Sequence, residues 1–99
     1  LHHLADPLTL WKEIRRLGRS GSGIFVMDLI RPNDLQETQD LVQTYCGKEA
    51  KILQRDFYCS LLAAYRTDEI IGQLRETELD HLELRTVSDR HLIIYGRNL

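Results

Sequence analysis

An unbroken apolar run, IFVM at positions 24–27, is the feature that most constrains how this chain folds. A run of this kind is typical of a strand that is covered on both faces and paired on both edges, as in a parallel sheet. The remaining sequence offers only two more strand-like segments, LELRTV at 82–87 and HLIIYG at 91–96. If 91–96 is the central strand, 24–27 becomes an apolar edge strand, which is an aggregation hazard unless something covers it.

The strand-like segments are separated by sequence that is typical of helices. We expect helices over 7–17, 35–46, 51–65 and 68–77. Asp6 followed by Pro7 should begin the first helix, Asn33 or Asp34 the second, and Thr67 the fourth. The 82–87 segment alternates apolar and charged residues, as an edge strand does, and forms an antiparallel hairpin with 91–96. The long helical crossover allows the first strand to join them. The sequence therefore predicts one α/β domain over 1–99, with a three-stranded mixed sheet and helices on its faces.

Composition excludes several classes of function. The chain has 99 residues and a formal net charge of −2, which gives no electrostatic reason to expect DNA or RNA binding by the chain itself. No apolar run approaches the ~20 residues that span a bilayer, and we expect no membrane association. Cys46 and Cys59 lack the spacing of metal ligands, and no metal site is expected. A reduced, cytoplasmic chain is the simplest interpretation, with a structural disulfide as the alternative.

Two long segments are similar to a known enzyme family. Positions 1–32, LHHLADPLTLWKEIRRLGRSGSGIFVMDLIRP, resemble the stretch after the fourth strand of class I S-adenosylmethionine-dependent methyltransferases. In that family a loop of HHL type leads into a helix, and the next strand ends in a D..RP pattern. Positions 55–97, RDFYCSLLAAYRTDEIIGQLRETELDHLELRTVSDRHLIIYGR, are similar to the end of small bacterial members. The resemblance covers essentially the whole chain.

The resemblance implies a partial Rossmann-like methyltransferase fold. The family sheet has the order 3-2-1-4-5-7-6 with strand 7 antiparallel, so 24–27, 91–95 and 82–87 take the places of strands 5, 7 and 6. Strands 1 to 4 are missing, together with the glycine-rich turn and the acidic residue that hold the cofactor. GRSGSG at 18–23 precedes a strand and cannot replace that turn. We therefore expect Leu1 to be a cut edge, in a fragment or a truncated gene product. S-adenosylmethionine would bind the full-length parent and not this chain.

Candidate site residues follow from the resemblance and from the ends of strands. The resemblance places His2 and His3 in the loop near the methyl donor and acceptor, as cofactor-side candidates, with His3 also on the substrate side. Asp28, Arg31 and Pro32 follow the first strand, and open α/β sheets bind ligands beyond the carboxyl ends of their strands. The alternative is an Asp–Arg pair that braces the loop, with Pro32 making it rigid.

Tyrosines of the third helical segment are further substrate-side candidates. Tyr58 and Tyr65 would line a substrate cavity in the parent, whereas the alternative is a packed helix with no pocket. No catalytic residue is assigned.

Two functions are therefore expected. The first is the C-terminal portion of a methyltransferase that acts on a small molecule or RNA, with the isolated chain inactive. The alternative is a free-standing α/β module that pairs through the exposed strand at 24–29, for example as a homodimer.

Overall fold

The computed structural model describes residues 6–98 and folds them into four helices and one sheet of three strands. In chain order the elements are α1 (Pro7–Leu17), β1 (Gly23–Leu29), α2 (Leu35–Cys46), α3 (Lys51–Ala63), α4 (Thr67–Glu76), β2 (Glu83–Thr86) and β3 (His91–Arg97). The predicted α/β class is confirmed at this level.

Local capping interactions explain where two helices begin. The Asp6 side chain accepts a hydrogen bond from the Leu8 N–H at 3.0 Å, one residue after Pro7 begins α1. Asp34, rather than Asn33, caps α2. Its carboxylate accepts from the Glu37 N–H at 2.7 Å.

The third and fourth helices differ slightly from the prediction. The helix α3 ends at Ala63, two residues before the predicted end. Thr67 is the first residue of α4 rather than its cap. The Glu69 carboxylate instead accepts a hydrogen bond from the Arg66 N–H at 2.9 Å.

The sheet has the order β1–β3–β2, with β3 antiparallel to both neighbours. This order and the direction of β3 are those that the resemblance implies. The description of the sheet as mixed is wrong, because β1 and β2 run in the same direction but are separated by β3. Each of the two ladders is therefore antiparallel.

The helices α1 and α4 cover one face of the sheet and enclose its core. Apolar side chains of both helices, of the loop after α4 and of all three strands meet there: Trp11, Ile24, Ile70, Leu74, Leu79, Leu82, Leu92 and Ile94 are buried, with Leu84 half-buried beside them. The indole N–H of Trp11 donates to the Gln73 side-chain oxygen at 3.0 Å, which joins α1 to α4 inside this core.

The opposite face of the sheet is largely uncovered by residues 6–98. Phe25 and Met27 on β1 are 65% and 56% exposed, and their partners on β3, Tyr95 and Ile93, are half-buried. The expectations that β1 is buried on both faces and that helices cover both faces of the sheet are therefore wrong. The physical reason is that α2 and α3 pack against each other instead of across this face.

The helices α2 and α3 form a hairpin with its own small core. Leu41, Val42 and Leu61 are buried in it, and Leu29 at the end of β1 packs against them. The molecule is elongated, with extents of 45 × 20 × 20 Å. Its radius of gyration is 15.0 Å, compared with about 13 Å for a compact chain of this length. None of the helices within residues 6–98 is long and apolar enough to cross a membrane.

Candidate functional site at the carboxyl end of β1

The carboxyl end of β1 meets two other parts of the chain. The Ile30 N–H donates to the Arg90 carbonyl at 2.9 Å, just before β3. The Arg31 N–H donates to the Tyr65 carbonyl at 3.2 Å, and Ile30 forms a parallel bridge with Tyr65. The α3–α4 connection is therefore fixed beside the end of β1, where the sequence predicts substrate-side residues.

Asp28 is buried near this end of the strand. It shares the core-facing side of β1 with Ile24 and Val26, because side chains alternate along a strand. Its carboxylate accepts a hydrogen bond from the Leu29 N–H at 2.8 Å. A buried carboxylate held in this way shapes the end of the strand, three and four positions before the predicted substrate-side residues Arg31 and Pro32.

Arg31 connects the same end of the strand to α4. Its guanidinium lies 2.6 Å from Glu69 Oε1, the oxygen that also accepts from the Arg66 N–H. Both side chains of the Arg31–Glu69 pair are about one third exposed. Pro32 is half-buried directly after this contact and begins the connection to α2. The pair of Arg31 with Glu69 therefore braces the loop, whereas the alternative interpretation named an Asp–Arg pair.

The tyrosine candidates occupy different surroundings. Tyr58 is half-buried in α3 and packs against the core of the α2–α3 hairpin. Tyr65 packs against the core of the sheet and bridges to Ile30 through its backbone. Tyr58 is thus part of a helix–helix contact, whereas Tyr65 lies at the end of β1. His2 and His3 lie outside the described residues.

A group of three side chains at this end of the molecule has no counterpart in the sequence prediction. The Tyr45 hydroxyl on α2 donates to Asp89 Oδ2 at 2.7 Å, and the Arg90 guanidinium lies 3.6 Å from the centroid of the Tyr45 ring. Arg90 Nη1 also donates to Asp89 Oδ1 at 3.0 Å. We call these three residues the latch, because they join α2 to the β2–β3 turn.

The latch changes the acidity of two of its members. The hydrogen bond from Tyr45 is the main cause that lowers the pKa of Asp89, and the contacts with Arg90 act in the same direction. The same hydrogen bond raises the pKa of Tyr45. Both shifts favour a neutral phenol that donates to an ionised carboxylate. The sequence contains no local signal for this contact, since the two residues are 44 positions apart.

The outer edge of β1 is the second candidate functional surface. In an antiparallel ladder, the backbone groups of every second residue point toward the neighbouring strand. The Ile30 N–H donates to the Arg90 carbonyl, so the even-numbered residues of β1 are the ones that face β3. The backbone groups of Gly23, Phe25 and Met27 consequently point away from β3. Further along the edge, the Leu29 N–H donates a hydrogen bond to the Asp28 carboxylate, and the Arg31 N–H donates one to the Tyr65 carbonyl. Among residues 6–98, the open part of the edge thus runs from Gly23 to Met27.

The described part of the chain contains no cluster of side chains that could ligate a metal ion. No group of three or more His, Cys, Asp or Glu side chains is close enough to bind one ion there. Cys46 and Cys59 are free thiols.

Comparison of the chain with protein-family models, curated proteins and solved structures found no match. The resemblance to methyltransferases consequently rests on the quoted sequence segments.

Proposed function

We propose that this chain is the C-terminal part of a class I S-adenosylmethionine-dependent methyltransferase domain. In this proposal β1, β3 and β2 correspond to strands 5, 7 and 6 of the family sheet. The single observation that supports it most is the open edge of β1 at Gly23–Met27 beside the exposed Phe25 and Met27 side chains. A further strand with its own covering elements would bury both.

The two edges of the sheet differ in how they are protected. Natural edge strands avoid unwanted pairing by being short and by carrying charged side chains. The strand β2 has only four residues, and two of them are the exposed Glu83 and Arg85. The strand β1 has seven residues, and no charged side chain interrupts the stretch from Gly23 to Met27. The unprotected edge is the one where the family fold continues into strand 4.

The roles proposed for the two halves of the domain follow from the chemistry of methyl transfer. Transfer from a sulfonium requires the donor and the nucleophile to be held in line, and in some cases a base. The missing half would bind S-adenosylmethionine. Asp28, Arg31, Pro32 and Tyr58, with His3 from the preceding loop, would contribute to the substrate side, and His2 and His3 would lie near the donor. The acceptor is proposed to be a small molecule or RNA, and the free thiols favour the reducing cytoplasm.

The proposal is tested by measuring S-adenosylmethionine binding with isothermal titration calorimetry. We expect no binding by the 99-residue chain and micromolar binding by the longer product of the gene. In the longer product, Met27→Glu places a charge in the proposed strand contact and should weaken binding at least tenfold. Val87→Glu also adds a charge at an exposed apolar position, but beside β2, and should leave binding unchanged. Micromolar binding by the chain alone would contradict the proposal.

The same edge also favours a second candidate, a free-standing module that pairs with a copy of itself through β1. The expected strength is low, because a large side chain buries about 150–250 Å². Two such side chains in each copy fall short of the roughly 1,200 Å² that a stable interface needs. This candidate predicts a concentration-dependent dimer in sedimentation velocity that Met27→Lys abolishes and Val87→Lys preserves. A monomer at millimolar concentration would exclude it.

A further inference from the structure

The helices α2 and α3, which we call the arm, form a unit that is separate from the core of the sheet. The arm buries Leu41, Val42 and Leu61, and none of these belongs to the cluster between the sheet, α1 and α4. Leu29 is the side chain of the sheet that packs against the arm cluster within the described residues. A small core with few contacts to the rest of a protein opens at a lower free energy than the main core.

Both connections to the arm are fixed on their sheet side. Before α2, the N–H groups of Ile30 and Arg31 bond to the Arg90 and Tyr65 carbonyls. After α3, Tyr65 forms a backbone bridge with Ile30, and the Arg66 N–H donates to the Glu69 carboxylate. Residues 32–34 and Ala64 lie between these anchors and the two helices, so they can act as hinges without disturbing the sheet.

One side-chain contact closes the arm against the sheet at its far end. Tyr45 lies in the last turn of α2, and its hydroxyl and ring engage Asp89 and Arg90 in the β2–β3 turn. Cation–π contact and a charge-assisted hydrogen bond act on the same residue. Their loss would release α2 without removing any buried apolar side chain, since Tyr45 is itself exposed.

We propose that α2 and α3 open together as one arm, and that the contact of Tyr45 with Asp89 and Arg90 is the latch that holds the arm closed. The opening requires no cofactor or partner. Only its use depends on the proposed function: in a methyltransferase, the opened arm would give a substrate access to the end of β1 beside Asp28 and Arg31.

Native-state hydrogen exchange followed by mass spectrometry tests the proposal. Amides exchange only when their hydrogen bonds break, and helices of 12 and 13 residues are marginal without tertiary packing, so the opened arm should unfold as one unit. In the unchanged protein, amides of α2 and α3 should therefore share one opening free energy that is lower than that of the β1–β3 ladder. A single opening free energy for the arm and the sheet would overturn the proposal, and so would different values for α2 and α3.

Tyr45→Phe removes the hydroxyl of the latch and keeps the ring beneath Arg90. Exchange in the arm should accelerate by roughly 2- to 10-fold, the size expected for the loss of one net hydrogen bond. Exchange in β1 and β3 should not change. The matched control is Tyr95→Phe, which removes a similar surface bond, from the Tyr95 hydroxyl to Glu83 at 2.6 Å, within the sheet. The control should leave the arm unaffected. Equal acceleration of the arm and the sheet in Tyr45→Phe, or none in either, would overturn the role of the latch.

Discussion

At the scale of single residues, polar groups fasten the helices of this protein to one another and to the sheet. The Trp11–Gln73 bond lies inside the main core, where an unpaired N–H has no water to replace its partner. The Tyr45–Asp89 bond lies at the surface, where water competes with it. The same kind of bond should therefore have a larger effect on stability in the first place than in the second.

Gln73→Met should destabilise the protein by about 1–3 kcal/mol, because it keeps the shape of the side chain and leaves the Trp11 indole N–H buried without an acceptor. Urea denaturation followed by tryptophan fluorescence measures the change directly, since Trp11 is the single tryptophan of the chain. An unchanged midpoint would show that this hydrogen bond contributes nothing to stability.

The latch should make the closed arm dependent on pH at both extremes. The pKa of Asp89 is lowered from an ordinary value of 3.8, so its contribution is present above that pH and is lost as the pH falls through the lowered pKa. The pKa of Tyr45 is raised from 10.0, so its contribution is present below that pH and is lost as the pH rises through the raised pKa. An NMR titration should show the Asp89 pKa returning toward 3.8 in Tyr45→Phe. An identical Asp89 pKa in both proteins would contradict this coupling.

At the scale of elements, the positions of two glycines have opposite consequences. Gly96 in β3 has a φ of 150°, and a Cβ there would lie 2.8 Å from Leu82 Cδ2 in the core. Gly72 lies within α4, and a Cβ there meets nothing within 4 Å. One glycine therefore serves a conformation that other residues avoid, while the other weakens its helix.

Gly96→Ala should destabilise the protein by more than about 1 kcal/mol, through backbone strain and the contact with Leu82. Gly72→Ala should stabilise it by about 0.5–1 kcal/mol, because alanine favours the helical state. Thermal unfolding of the two variants beside the unchanged protein checks both signs. Destabilisation by Gly72→Ala would mean that α4 is more tightly packed at this position than the structure indicates.

The elements that carry local signals are the ones that the sequence predicts well. Asp6 and Asp34 cap their helices through bonds to residues two and three positions away, so short patterns reveal them. The alternation of β2 likewise reveals an edge strand with exposed Glu83 and Arg85. The exposure of Phe25 could not be predicted in this way, because burial of a strand face depends on which elements pack across it. An apolar run indicates only that both faces of the strand are suited to burial, and it does not identify the element that buries them.

Contacts between distant elements limited the prediction of the candidate site in the same way. Arg31 was expected to brace the loop or to face a substrate, but its carboxylate partner Glu69 is 38 positions away. Tyr45 lies in α2 and its partner Asp89 in the β2–β3 turn, 44 positions away. Such pairs depend on the fold as a whole, so their residue types alone do not reveal them.

At the scale of the whole molecule, two separate cores of unequal size explain the elongated shape. The larger core supports the sheet, and the smaller one supports the arm at the end of β1. The sheet has the order β1–β3–β2, and the proposal equates these strands with strands 5, 7 and 6 of the methyltransferase sheet. The open edge of β1 calls for a further strand in both candidate functions, and the two differ in whether that strand belongs to a longer chain or to a second copy.

The most direct test of the methyltransferase proposal is to read the coding sequence upstream of the codon for Leu1. The proposal predicts an in-frame extension that encodes a strand followed by a glycine-rich turn and a helix, and further strands up to one that can pair with Gly23–Met27. A start codon directly before Leu1 would contradict the proposal. The cover for the edge of β1 would then have to come from another chain.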